Sequence, residues 1–147
     1  MEITGSYTFN ASPERVWALL MDPAVLSSCI PGCERFDPKG DDRYTVTLTV
    51  GIAAITGTYT GTVHLVDQMP HTSYRLIVEG QGRPGFVKGS SAVTLKAAGD
   101  ATEVTVTADV QAGGAIARVG QRLIGGVAKM MMDRFFGCLQ SRLTANP

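Results

Sequence analysis

Ile3, Gly5, Tyr7 and Phe9 alternate with Glu2, Thr4, Ser6 and Thr8, the two-residue period of a strand that buries one face. The period then changes. Ser12 with Pro13 and Glu14 supplies an N-cap, a proline at the first helical position and an acid in the positive first turn, and Val16, Trp17, Leu19 and Leu20 form the apolar side. Asp22-Pro23 repeats the start signal, and Pro31-Gly32 ends a second short helix after Cys29 and Ile30.

From Glu34 to Gln111 the alternation predicts six more strands. Phe36 lies in the first. Tyr44, Val46, Leu48 and Val50 line one face of the next, and Gly57, Tyr59, Gly61, Val63 and Leu65 one face of the third. Tyr74, Leu76 and Val78 continue the pattern, Val87, Val93 and Leu95 mark the following strand, and Val104, Val106, Ala108 and Val110 close the set. Turn chemistry separates them at Lys39-Gly40-Asp41-Asp42, Met69-Pro70-His71, Gly82-Arg83-Pro84-Gly85 and Gly99-Asp100.

Gly113-Gly114 breaks the last strand, and a helical period runs from Ala115 to about Leu143. At about 100° per residue Ile116, Val119, Gly120, Leu123, Ile124, Val127, Met130 and Met131 share one broad face, opposite Arg118, Arg122, Lys129 and Asp133. Extending that helix places Arg134 on the apolar face and Phe136 on the charged one. Either the helix bends after Met131 or Arg134 reaches out of a cavity mouth with its stem buried.

A strand, two short helices, six strands and a long helix predict an α+β domain spanning residues 1–147. Its seven-stranded antiparallel sheet curls around the C-terminal helix. Small or flexible residues at Gly57, Gly61, Gly120, Met130 and Met131 are expected to leave a cavity between sheet and helix. The alternative is a tightly filled core in which Met closes the gaps.

Composition narrows the functions. Thirteen basic and thirteen acidic residues cancel, and hydrophobic residues make up 44% of 147. No basic field recruits nucleic acid, and the apolar content suits a single globular domain. The first ten residues lack the charged start and apolar run of a signal peptide, so a cytoplasmic location is expected. Three cysteines in that compartment are expected as thiols. Cys29 and Cys33 lack the further ligands of a zinc site, and either a redox or a structural role is open to them. Alternation places His64 outward and His71 in a turn, so neither reads as catalytic. No catalytic triad, metal-protease or phosphate-loop pattern occurs. Tyr7, Tyr44, Tyr59 and Tyr74 point inward, each able to hydrogen-bond a ligand carbonyl or a backbone group.

The segments Trp17-Ala18-Leu19-Leu20-Met21-Asp22-Pro23 and Cys29-Ile30-Pro31-Gly32-Cys33-Glu34, with Gly80-Gln81-Gly82, Gly85-Phe86 and Gly89, resemble the carbon monoxide dehydrogenase G-subunit family of the START-like superfamily. That resemblance covers nearly the whole chain. It implies a helix-grip fold with a hydrophobic tunnel, no covalent cofactor, and a role beside a molybdenum hydroxylase of the carbon monoxide dehydrogenase type. The implied ligand is a respiratory quinone or similar lipid, through which the enzyme is linked to the membrane. Some members carry a membrane-seeking extension after the long helix. This sequence ends at Thr144-Ala145-Asn146-Pro147, so membrane contact would have to come from the domain surface, where Arg118, Arg122, Lys129, Arg134 and Arg142 outnumber Asp133; the preferred reading of that basic face is the solvated outer side of an amphipathic helix.

The expected function is that of a ligand-binding accessory protein, not an enzyme. The expected ligand-lining residues are Tyr44, Leu48, Tyr59, Val63, Tyr74, Leu76, Val78 and Phe86 from the sheet. Ile116, Val119, Gly120, Leu123, Ile124, Val127 and Met131 line it from the helix, and the way in lies past the Gly82-to-Phe86 hairpin. Two alternatives are a small START-like cyclase or dehydratase, which needs an inward Asp, Glu or His, and a recruitment or maturation factor with a filled core. Gly120→Leu is expected to narrow the cavity while raising helix propensity.

Overall fold

The computed structural model describes residues 1–52 and 55–145; the Asn146-Pro147 end, expected to carry no tail, lies outside them. The elements run β1 (Glu2–Phe9), α1 (Pro13–Leu20), α2 (Pro23–Cys29), β2 (Cys33–Gly40), β3 (Arg43–Val50), β4 (Gly57–Met69), β5 (Ser73–Gly82), β6 (Gly85–Ala98), β7 (Ala101–Gly113), a 3-10 turn (Gly114–Val119) and α3 (Gln121–Ala145). The seven strands form one antiparallel sheet in the order β1-β7-β6-β5-β4-β3-β2. The α+β grip architecture expected from periodicity is therefore the observed one.

Local chemistry explains the start of the chain. Ser12 Oγ accepts from Arg15 N at 3.3 Å and Asp22 Oδ1 from Ala24 N at 2.9 Å, so both short helices carry side-chain caps ahead of their prolines. The fully buried Thr102 donates to the Ala11 carbonyl at 2.7 Å, tying the β1–α1 turn to β7. Asp41 and Asp42 both take positive φ (53° and 58°), the backbone of a tight hairpin turn between β2 and β3. Gly32 also has φ 73°, and a Cβ there would collide with the Thr49 carbonyl. Glycine thus lets α2 turn directly into the edge strand.

The apolar residues separate into two clusters. The larger gathers Phe9, Val16, Trp17, Leu20, Tyr44, Val46, Leu65, Tyr74, Val93, Leu95, Val104 and Val106 around Phe136, Leu139 and Leu143 of α3. The smaller holds Ile55, Ile116 and Val127, with Tyr59, Val87, Val119 and Met131 beside them. Several expectations are corrected here. The C-terminal helix is not continuous from Ala115: Gly120, at φ 94° and ψ 151°, separates the 3-10 turn from α3. Nor does one face of α3 stay buried. Val127 and Met131 serve the smaller cluster, whereas Met132, Phe136, Leu139 and Leu143 serve the larger from a face about a third of a turn away. That switch of face buries Phe136 and leaves Arg134 exposed.

The cysteine expectation also changes, because Cys29 of α2 is disulfide-bonded to Cys138 of α3 and Cys33 alone is a free thiol. Burial pushes the Cys33 thiol up. Finally, Gly61 does not open space for a ligand. A Cβ there would run into the Glu79 carbonyl, so its role is to let β4 and β5 approach at the bend of the sheet.

Candidate functional site

Strand β5 shows where the helix fails to cover the sheet. Tyr74 is buried and Leu76 half-buried on its concave face, yet Val78 on the same face is 37% exposed, and a Cβ at Gly80 would touch nothing within 4 Å. The uncovered stretch of the concave face lies between the two clusters. α3 approaches β1 and α2 closely, closing the grip at its C-terminal half and standing away from the centre of the sheet.

At its N-terminal half α3 borders an open apolar groove of about 510 Å³, lined by Ile52, Val119, Arg122, Leu123, Gly126, Val127 and Met130. The volume falls in the range of small-molecule sites, roughly 300–1,000 Å³. Leu123 is 36% exposed on its wall. Gly126 has helical backbone, and a Cβ there would meet nothing within 4 Å, so the groove owes part of its width to this glycine. Arg122 is the one charged group in the lining, and among the described residues it has no ion pair. A second, smaller depression of about 190 Å³ lies over the convex face, with Glu79, Lys88, Ser90, Asp109 and Gln111 around it. Its polar rim suits no hydrophobic ligand.

The expected lining residues distribute unevenly. Val119, Leu123 and Val127 line the groove. Ile116 and Met131 sit just behind it with Tyr59 in the smaller cluster, and Ile124 is half-buried one turn along α3. Leu48, Val63 and Leu76 flank the larger cluster, Val78 lies in the uncovered stretch, and Tyr44 and Tyr74 are packed inside the larger cluster against Phe36 and Trp17. Two residues fall elsewhere. Phe86 points to the convex face, where its ring covers Gly113, because residues 87, 89 and 91 take the inward positions of β6. Gly120 is exposed, lines nothing, and has a backbone that a leucine would strain, so Gly120→Leu does not test the cavity. Ile52, Arg122 and Gly126 line the groove without having been expected there, and Met130, expected to face the cavity, lines it as well. The signal for Gly126 was present, since a Gly-Gly pair inside a helix costs about 2 kcal/mol against Ala-Ala and calls for a reason.

The expected way in past the hairpin is also closed. Ile116 N donates to the Pro84 carbonyl at 2.7 Å, and a Cβ at Gly85 would strike the Gly113 carbonyl, so the hairpin is sealed onto the 3-10 turn. The groove lies instead along the first half of α3, with Ile52 and Leu123 in its lining. Two of the four tyrosine hydroxyls are committed: Tyr59 donates to the Ile55 carbonyl at 2.7 Å and Tyr7 to Asp133 Oδ1 at 2.6 Å. Burial pushes the Tyr74 phenol up, so it stays protonated. No cluster of three metal-binding side chains occurs among the described residues.

Comparison with known proteins agrees with this fold. The sequence profile of the carbon monoxide dehydrogenase G-subunit family (CoxG) matches residues 5–144. The crystal structure of a conserved protein from Geobacillus kaustophilus is similar with a TM-score of 0.95 at 37% identity, covering 99% of this chain and 96% of that one. A protein from Thermus thermophilus gives a TM-score of 0.75 at 16% identity over 100% of both chains. One from Mycobacterium smegmatis gives 0.72 at 18% identity over 99% of this chain and 92% of that one. At those two lower identities the likeness is one of fold. No curated relative matches the chain.

Proposed function

Because the chain belongs to the carbon monoxide dehydrogenase G-subunit family, we propose that it is an accessory protein of a molybdenum hydroxylase and holds an isoprenoid quinone or comparable lipid in the groove beside α3. The observation that carries this reading is the apolar groove of about 510 Å³ whose single charge, Arg122, stands in its wall. Such a site is built for an apolar body with one polar end. Val119, Leu123, Val127 and Met130 take the isoprenoid chain, and the Arg122 guanidinium is the donor for a quinone carbonyl. The isoprenoid chain continues toward the uncovered concave face at Val78 and Gly80. Burying about 300 Å² of tail contributes roughly 7 kcal/mol before ordering costs, which suits reversible loading.

In this reading the protein carries a ligand between a membrane and an enzyme and makes or breaks no bond in it. Gly126 supplies the test. Its backbone is helical, so Gly126→Leu adds about 0.8 kcal/mol of helix propensity and pushes a side chain into the groove. The thermal midpoint is expected level or higher, and the affinity for a short-chain menaquinone or ubiquinone, read by fluorescence titration, lower by about tenfold or more. Unchanged affinity would remove the groove as the site. Unfolding of the variant would mean that Gly126 makes a close contact, and the groove would not be open.

A further inference from the structure

Helix α3 presents one stripe of side chains to the groove. Arg122, Gly126 and Met130 follow one another at four-residue intervals, and all three line it. They therefore stand in a row along about 12 Å of helix. Gly126 leaves the middle of the row bare, so the guanidinium of Arg122 stands at one end and the thioether of Met130 at the other.

Met130 opens a run of three methionines, half of the six in the chain. The run divides by contact. Met131 packs beside the smaller cluster and Met132 beside the larger. The Met132 sulfur lies 2.9 Å from where a Cβ on Gly5 would stand, and the Met1 sulfur 3.2 Å from the same point on Gly125. Met21 flanks the larger cluster, and Met69 is 61% exposed at the end of β4. Of the six, Met130 is the one in the lining of the groove, where it is half-buried and open to a small solute.

Thioethers are the side chains that hydrogen peroxide oxidises without needing to ionise. The sulfur attacks one peroxide oxygen, an S–O bond forms as the O–O bond breaks, and the second oxygen leaves as water. Sulfur loses two electrons and the peroxide gains them, turning an apolar wall residue into a polar sulfoxide. The one free thiol competes poorly, because burial pushes Cys33 up and so lowers its thiolate fraction. A quinol in an open groove also makes the oxidant on the spot, since its oxidation by dioxygen gives the quinone and hydrogen peroxide.

We propose that Met130 is a reversible oxidation site that regulates the groove: as the thioether it holds an apolar ligand, and as the sulfoxide it releases it. The proposal rests on the ligand-carrier reading and adds its control. The sulfoxide oxygen stands where the isoprenoid chain lies, and an apolar chain cannot satisfy it.

The test treats the full chain with hydrogen peroxide, maps sulfoxides by peptide mass spectrometry, and titrates a short-chain menaquinone by fluorescence before and after. Each protein is compared with its own untreated form. Wild type is expected to gain oxygen at Met69 and Met130 ahead of Met131 and Met132, to keep its thermal midpoint, and to lose about tenfold in affinity. Methionine sulfoxide reductases of both epimer specificities, with a dithiol as reductant, restore the affinity; the dithiol alone does not. Met69→Leu, outside the groove, loses affinity on treatment as wild type does, whereas Met130→Leu shows no loss. Met130→Gln, which places a polar group there without oxidant, binds more weakly from the start. Met130 sulfoxide with unchanged affinity, an equal loss in Met130→Leu, or oxidation of Met131 and Met132 before Met130 overturns the proposal and leaves the carrier reading intact. Untreated wild type that binds no menaquinone overturns both.

Discussion

The Tyr7 hydroxyl donates to Asp133 Oδ1 at 2.6 Å and accepts from Lys129 Nζ at 3.4 Å, while Lys129 and Asp133 pair at 3.1 Å one helical turn apart. The Tyr7 ring stacks on Phe136 with centroids 4.3 Å apart, so this one residue fastens β1 to α3. The Tyr7 hydrogen bond, then the Lys129 ammonium, hold the Asp133 carboxyl below the usual carboxylate range. A depressed carboxylate contributes stability above its ordinary pKa, lost as pH falls through the folded one. Tyr7→Phe is therefore expected to move the Asp133 titration upward, toward the ordinary value, as read by carboxyl-carbon NMR. The loss at neutral pH should stay near 1 kcal/mol, since both charges are exposed. An unmoved titration would mean that Lys129 alone sets it. At this scale the sequence was least legible: alternation could not show that Gly120 has a positive φ or that the hairpin at Gly85 turns Phe86 outward.

Helix α3 has two unlike halves. The first carries Gly125 and Gly126 beside an open groove; the second is packed through Phe136, Leu139 and Leu143 and stapled to α2 by Cys29–Cys138. Arg142 adds a hydrogen bond to Ser28 Oγ, and Arg15 one to the Leu143 carbonyl at 3.2 Å. The rigid half anchors the helix, leaving the glycine-rich half to define the groove. With its cysteines 109 positions apart, the disulfide is expected to contribute about 2–4 kcal/mol by restricting the unfolded chain. Cys138→Ser should lower the denaturant midpoint of the oxidised protein accordingly, a dithiol should lower wild type equally, and the variant should not respond. Thiol counting without reductant should find only Cys33; three reactive thiols would contradict the pairing. Strand and helix existence were readable from period alone, because each element has a buried face of its own. The partner of Cys29 was not, since a contact across 109 residues leaves no local pattern. The single apolar face drawn for the helix failed because α3 serves two clusters in turn, and a mean periodicity averages over that switch.

Across the whole molecule, the grip is closed at the end that holds α1, α2 and the disulfide and open at the end that holds Arg83, Arg118, Arg122 and the groove. No helix among the described residues is long and apolar enough to cross a membrane. The core and the grip were legible because seven alternating strands and one long helix admit few other arrangements. The groove's position was not, because it depends on how far α3 stands from the sheet. The central claim is that a lipid occupies that space, and organic extraction of the purified protein followed by mass spectrometry tests it most directly. An isoprenoid quinone or comparable lipid should be recovered at about one per chain from wild type and be depleted from Gly126→Leu, a difference set by the groove volume. Recovery of the same lipid in equal amounts from both, or of none from wild type exposed to quinone-containing membranes, would contradict the account.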